Sequence, residues 1–355
     1  MTEQNDNPIP ESFTRYGKQI RFPGLGIEAQ KKIAQSRAVV IGCGALGSVS
    51  SNLLARSGVG QLVLIDRDFV ELDNLQRQVI YNEKDVGMPK AVVAEARLRE
   101  ANSTIDITSQ VTDVNFQNIE QLLTDEDSRP TVVIDGTDNF ETRFLINDAC
   151  VKHSIPWIYA GCLGAEGQSM TIVPGETPCL HCLMMDGPPP PGTTATCDSG
   201  GILSTIINVM SAIQVNEALK ILAGLPDKTN RKLSVFDLWN NRMNSIDISS
   251  LREKVECPCC KLKSFDWLAG KHGSQPTILC GRNAVQVSYP DRKTVDLSQI
   301  ATRLQALGDV EANPFLVRFQ IEPYTLTIFQ DGRAIVNGTE DISVAKKLYA
   351  QYVGA

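Results

Sequence analysis

The chain has 355 residues, room for one large α/β domain of up to about 250 residues and a smaller companion. Its formal charge of -7, from 34 basic and 41 acidic residues, argues against electrostatic capture of nucleic acid or an anionic membrane surface. No stretch approaches the roughly 20 apolar residues of a membrane span, and the opening MTEQNDNPIPES lacks a leader pattern, so a soluble cytoplasmic protein is expected.

Residues 1–36 read as an N-terminal arm, polar at first and of mixed charge from Arg15 to Lys32. Strand and helix patterns then alternate: strand Ala38 to Ile41, helix Ala45 to Ser57, strand Leu62 to Ile65 and a helix starting at Pro89. Strand Ile105 to Thr108, helix Phe116 to Leu123, strand Thr131 to Ile134 and helix Phe140 to His153 continue the series, and two more strand-like runs occupy 157–173. Such alternation predicts a parallel sheet covered by helices on both faces. DGPPPPGTTATCDSGG (186–201) reads as a loop, because consecutive prolines fix the backbone and donate no hydrogen bonds. The run 202–224 is apolar around most of its circumference but interrupted by Asn208, Gln214, Asn216, Glu217 and Lys220, so it predicts a core or interface helix. Residues 37–270 therefore form one α/β domain, and 271–355, with alternating apolar runs and two helical ones, a small α+β domain. Residues 272–355 carry eight basic and eight acidic side chains, which gives that domain no basic excess for DNA and suits protein docking or dimer support.

Gly42, Gly44 and Gly47 form GxGxxG between a strand and a helix, where glycines allow a phosphate to approach the helix N-terminus. Asp66, at the end of the next strand, is placed for a ribose hydroxyl. The pair points to an adenine nucleotide, and taken alone it also suits a nicotinamide cofactor and hydride transfer. DNLQRQ (73–78) then adds Asp73, Asn74 and Arg77, and Pro89 presents Lys90 at a helix start. Cations beside phosphates suit a reaction that builds charge on phosphorus, although either could be an ordinary surface charge. VVIDGTDN places Asp138 and Asn139 at the carboxyl end of a strand, where Asp138 could carry Mg²⁺ or cap the following helix.

Ten cysteines in a chain without a leader read as thiols rather than a disulfide framework. Cys179-x-x-Cys182 and Cys257-x-x-Cys260 have the spacing of a four-thiolate zinc site, with redox dithiols as the alternative; Cys259 stands beside the second pair. Cys197, in TCDSGG, is a candidate nucleophile or sulfur acceptor, and Cys43, Cys150, Cys162 and Cys280 read as packed small hydrophobes. The three histidines, His153, His181 and His272, form no pair.

RYGKQI (15–20), GCGALG, DRDFVELDNLQRQ, PK at 89–90, GTDN, the paired CxxC motifs and TCDSGG together resemble the E1-like adenylyltransferases of the ThiF, MoeB and HesA type. The C-terminal pattern, with ILCGRNAVQV and FQDGRAIVNGT, resembles the longer form of the ThiF branch. The resemblance implies an α/β fold with a Rossmann-like doubly wound sheet of E1-like type, a four-cysteine zinc staple and a small C-terminal α+β domain. It implies an enzyme that uses ATP and Mg²⁺ to adenylate the C-terminal glycine of a ubiquitin-like sulfur carrier protein. The carrier would be of ThiS type, for thiamine thiazole biosynthesis, or of MoaD type, for molybdopterin synthesis or tRNA thiolation. Gly42, Gly44, Ala45, Leu46 and Gly47 would form the phosphate loop, with Asp66 on the ribose and Asp73, Asn74, Arg77, Lys90 and Asn139 around the nucleotide. Asp138 would hold magnesium, and Cys197 would form a sulfur-linked intermediate. The resemblance also implies a homodimer in which Lys18 stands where the family has an arginine reaching the neighbouring site; Arg15 or Arg21 could substitute.

Overall fold

The computed structural model describes residues 9–124, 129–185, 187–188, 200–272, 277–279, 283–287 and 294–354. They fall into two compact units, one of residues 1–188 and 203–268, the other of 189–202 and 269–355.

Two short helices, α1 (Gly17–Ile20) and α2 (Gly26–Gln35), open the larger unit and bury Ile20 and Ile33. Its sheet begins with β1 (Arg37–Ile41), β2 (Gln61–Asp66), β3 (Asp106–Val111), β4 (Val132–Asp135) and β5 (Trp157–Leu163). β6 (Glu166–Ile172), β7 (Leu233–Asp237) and β8 (Arg242–Ile246) complete it, in the order β3-β2-β1-β4-β5-β6-β7-β8. β1 to β5 are parallel, as the alternation predicts, whereas β6, β7 and β8 extend the sheet antiparallel. The cause is local: Leu163 pairs with Glu166, leaving only Gly164 and Ala165 for the turn, and a two-residue loop can return the chain only antiparallel. Gly164 takes the left-handed φ of +60° this turn needs. β7 and β8 went unread in the sequence; β8 is exposed along its whole length and carries no apolar alternation.

The two faces are sorted by strand alternation. Val40, Leu62, Leu64, Val132 and Ile134 share a core with Leu54 of α3 (Ala45–Ser57), Ala94 of α4 (Lys90–Ala101) and Ala218 of the long helix Ser204–Leu222. Val39, Ile41, Val63, Val133 and Trp157 pack the opposite way, against Ile119 and Leu123 of α5 (Ile119–Thr124) and Phe144 of α6 (Phe140–Lys152). α5 begins three residues later than the sequence suggests, because Asn115 and Asn118 first close a side-chain-bonded turn: the Asn115 N–H donates to Asn118 Oδ1 at 2.9 Å. Ser204–Leu222 is covered on several sides, which explains its apolar circumference; of its interruptions Gln214 and Glu217 are buried while Asn208 and Asn216 are exposed, and Gly224 follows with φ +73°. Among the described residues, no helix is long and apolar enough to cross a membrane.

The smaller unit carries β9 (Thr277–Leu279), β10 (Ala284–Val287), β11 (Val310–Ala312), β12 (Leu316–Ile321), β13 (Tyr324–Phe329) and β14 (Ala334–Asn337). They form an antiparallel sheet ordered β11-β12-β13-β14-β10-β9. Helices Leu297–Gln305 and Ile342–Tyr352 supply Ile300, Leu304, Leu348 and Tyr349 to its core. Asp296 and Asp341 cap these helices, each accepting two backbone N–H groups.

Candidate functional site

The strand order reverses direction between β1 and β4, and open α/β sheets offer a crevice at such a point, outside the carboxyl ends of their strands. Gly42 leaves β1 there with φ +90°, and a β-carbon on it would lie 2.7 Å from the carbonyl of Gly136. Side chains on Gly47 and Gly136 would both overlap the Gly42 carbonyl. Three glycines thus let α3 start directly against two strand ends. Gly44 caps α3 without a side chain, and the N–H groups of Ala45, Leu46 and Gly47 form its first turn, where the helix favours an anion.

β2 is in register with β1, so Asp66 ends beside Gly42; its carboxylate accepts the Cys43 N–H at 2.5 Å and the Asp68 N–H at 2.6 Å. Burial and the Asp68 charge push its pKa up, against the pull of Lys90 and the two N–H groups. Lys90 is only 4% exposed, and its ammonium lies 3.3 Å from Asp68 Oδ2. Pro89 is the residue before the helix rather than its first turn, so Lys90 opens α4. Arg67 pairs with Asp113 at 2.8 Å; burial works against its charge, but Asp113, Asp68 and Asp138 together hold the guanidinium protonated. Tyr81 crosses this region and donates its hydroxyl to the Cys43 carbonyl at 2.7 Å.

At the end of β4, a third cation is Arg143 of α6, which donates to Asp135 at 3.0 Å, to the Thr137 carbonyl at 2.6 Å and to the Ala160 carbonyl at 3.1 Å. Gln214 reaches in from the long helix and donates to the Asp135 and Ile158 carbonyls, both at 2.8 Å. These bonds fix the turn that presents Asp138, which is exposed and adds to the charge felt by both Arg67 and Arg143. The helix cap is Asn139, accepting the Thr142 N–H at 2.8 Å, and not Asp138: a one-residue offset leaves the Asp138 carboxylate outside the helix start.

A separate centre gathers Cys179, Cys182, Cys257 and Cys260, with sulfur pairs at 3.9, 3.6 and 3.4 Å. Thiolates at about 2.3 Å from one tetrahedral zinc ion stand roughly 3.8 Å apart, and a disulfide would need about 2.05 Å, so the four thiols fit a shared ion and not a bond. Cys259 lies outside this set; Asn147 donates to its sulfur at 3.3 Å.

The ThiF family model matches residues 16–259, which carry the glycine junction, the three cations and, but for Cys260, the thiols of that centre. The chain belongs to the ThiF family. It is 43% identical over 343 residues to the sulfur carrier protein ThiS adenylyltransferase of Bacillus subtilis (strain 168), covering 96% of this chain and 99% of that one. It is 35% identical over 246 residues to the SAMP-activating enzyme E1 of Haloferax volcanii, covering 69% of this chain and 88% of that one. It is 38% identical over 268 residues to the adenylyltransferase and sulfurtransferase MOCS3 of Danio rerio, over 76% of this chain but 54% of that longer one. Among solved structures, E. coli MccB with ATP superposes with a TM-score of 0.58 at 23% identity, covering 73% of this chain and 76% of MccB, which shows the shared fold.

In this ThiF-family chain Asp73, Asn74 and Arg77 sit on a 3₁₀ turn, Leu72–Asn74, and its continuation: Asn74 is buried and donates to Asp73 at 2.8 Å, and Arg77 donates to the Asp73 carbonyl at 2.9 Å. Lys18 is exposed, and of the two residues that could replace it Arg15 is bound to Asn102 at 2.6 Å and to the Ala101 carbonyl at 3.0 Å, while Arg21 is exposed. Cys197 and Cys280 lie outside the described residues; Cys43 and Cys150 are buried as read, and Cys162 is half-buried. Asp68, Gln78, Tyr81, Asp113, Gly136, Arg143 and Gln214 went unread. The last Gln of DNLQRQ carried the one available signal: Gln78 is buried near Gly44, and its Oε1 has no partner among the described residues.

Proposed function

We propose that the chain adenylates the C-terminal glycine carboxylate of a ubiquitin-like sulfur carrier of ThiS type, consuming ATP and releasing pyrophosphate. The observation that carries this reading is the buried Lys90 beside Asp68 and Asp66 at the crevice where α3 begins. A cation held in a site largely shielded from water attracts phosphate charge far more strongly than one in solvent. Support for the carrier comes from the Bacillus subtilis relative, matched along nearly its whole length.

In this reading the phosphates lie against Gly42, Gly44, Ala45, Leu46 and Gly47, and Asp66 takes the ribose hydroxyls. Asp73, Asn74 and Arg77 border the triphosphate with Lys90, and Asn139 borders the nucleotide. A carboxylate oxygen of the carrier attacks the α-phosphorus, the new O–P bond forms as the bond to the β-phosphate oxygen breaks, and pyrophosphate leaves with that electron pair. No proton is transferred in this step, so alignment and charge neutralisation suffice. Asp138 holds Mg²⁺, which supplies further neutralisation of the phosphates. Cys179, Cys182, Cys257 and Cys260 hold structural Zn²⁺. The enzyme works as a homodimer with Lys18 facing the partner's site, and Cys197 takes the sulfur-linked role.

Exchange of labelled pyrophosphate into ATP tests the reading: it is expected only when a carrier ending in Gly-Gly is present. Exchange driven by a MoaD-type carrier and not by a ThiS-type one would redirect the assignment toward the MOCS3-like relatives. No exchange with either, together with tight NAD binding, would reject it in favour of an oxidoreductase.

A further inference from the structure

We infer that Asp148, His181 and Cys259 form a second divalent-metal site of zinc type, adjoining the four-thiol centre. The three come from different segments: Asp148 from α6, His181 from the turn between Cys179 and Cys182, and Cys259 from the turn between Cys257 and Cys260. Their ligand atoms all lie within 4.8 Å of one another. Asp148 and Cys259 are fully buried and His181 nearly so.

Two buried atoms are left without a well-formed hydrogen bond. Asp148 Oδ1 and His181 Nε2 face each other at 3.2 Å without well-formed hydrogen-bond geometry, and the Cys259 thiol lies within reach of the Asp148 carboxylate. A fully unpaired buried atom costs about 1–3 kcal/mol, and a poorly aligned pair such as this one loses part of that stabilisation. An imidazole nitrogen and a carboxylate oxygen each about 2.0 Å from one tetrahedral zinc ion stand roughly 3.3 Å apart, which matches their separation and satisfies both atoms at once.

The remaining contacts orient the donors as ligands need. Asp148 Oδ2 accepts the Trp267 N–H at 3.0 Å, leaving Oδ1 aimed at the histidine. Asn147 donates to Cys259 Sγ at 3.3 Å, and its own oxygen accepts the Leu180 N–H at 2.9 Å, so the amide is fixed with its N–H toward the sulfur. The His181 ring is held edge-on by Phe144, with centroids 4.6 Å apart. With an ion bound, Cys259 would be a thiolate, and its charge and that of the Asp148 carboxylate would balance a divalent ion. The mixed S, N, O donor set selects a borderline ion such as Zn²⁺ over Mg²⁺ or Ca²⁺.

Metal content of the full chain, purified in zinc-containing medium and stripped of loosely bound ions, tests the inference by elemental analysis. Two equivalents per chain are expected, falling to one in His181→Leu and in Cys259→Ala. One equivalent in the unaltered chain would overturn it. So would two equivalents retained in either variant, or a fall to none, because the three groups would then only support the four-thiol centre. The outcome is independent of the proposed adenylation, since no step of it passes through these residues.

Discussion

The Lys90 ammonium lies 3.3 Å from the Asp68 carboxylate, and the Lys90 N–H donates to the Asp68 carbonyl at 2.9 Å, so side chain and backbone are tied to the same residue. Asp68 therefore aims the lysine. Removing the charge with Lys90→Ala is expected to lower carrier-dependent pyrophosphate exchange by about 100-fold or more, the usual loss for one preorganised group facing developing charge. Asp68→Asn should give a smaller loss, carried mainly by kcat, because the ammonium remains but is less well directed. Equal activity of Lys90→Ala and the parent would remove Lys90 from the mechanism.

Asp138 is exposed and its turn is fixed by neighbours, so Asp138→Ala should change folding stability by no more than about 0.5 kcal/mol. Exchange should nevertheless fall by at least about 100-fold if Asp138 holds Mg²⁺ as proposed, since such an ion would contribute several kcal/mol of charge stabilisation. The measurement is exchange against Mg²⁺ concentration, and a variant rescued fully by excess Mg²⁺ would indicate weakened metal affinity alone.

Gly136→Ala places a methyl group against the Gly42 carbonyl at the junction of β1 and β4. Backbone cannot yield there as a flexible side chain would, and overpacking of this kind costs about 1–3 kcal/mol. Chemical denaturation should show that loss, and nucleotide affinity should fall with it. Gly164→Ala, where no atom lies within 4 Å, should cost only the strain of its positive φ.

Cys182 and Cys260 are 78 residues apart in sequence and 3.4 Å apart in space. A cross-link closing a loop of that length contributes about 4.5 kcal/mol in the chain-entropy account. Cys182→Ser should therefore lose the ion of the four-thiol centre and lower the Tm measurably, with chelation of the parent protein producing a comparable drop. An unchanged Tm after loss of the ion would show that the cluster is not a staple.

Asp341 is held below the usual carboxylate range because the Ser343 and Val344 N–H groups donate to it at the start of the last helix. A depressed folded-state pKa contributes stability above the unfolded value of about 3.9, and that stability is lost as pH falls through the lower folded value. Asp341→Asn keeps an acceptor but no titration, so stability of the smaller unit should fall less steeply below about pH 4. An unaltered acid slope would mean the cap does not titrate.

Much of this protein was legible in its sequence where the cause is local. GxGxxG needs only a strand, a turn and a helix start, and α3 spans Ala45–Ser57 as its apolar pattern and flanking glycines require. The two CxxC pairs announced a four-thiol group with the spacing to share one ion, because the spacing within each pair is a property of one turn. What only the tertiary structure decided depends on segments far apart in the chain. Gly136 faces Gly42, Gln214 bonds to the ends of β4 and β5, and Asp148 meets His181 and Cys259, and no periodicity encodes such meetings. The exposed strand β8 joined the sheet through backbone hydrogen bonds, which every residue type but proline can make, and so left no side-chain signature to read.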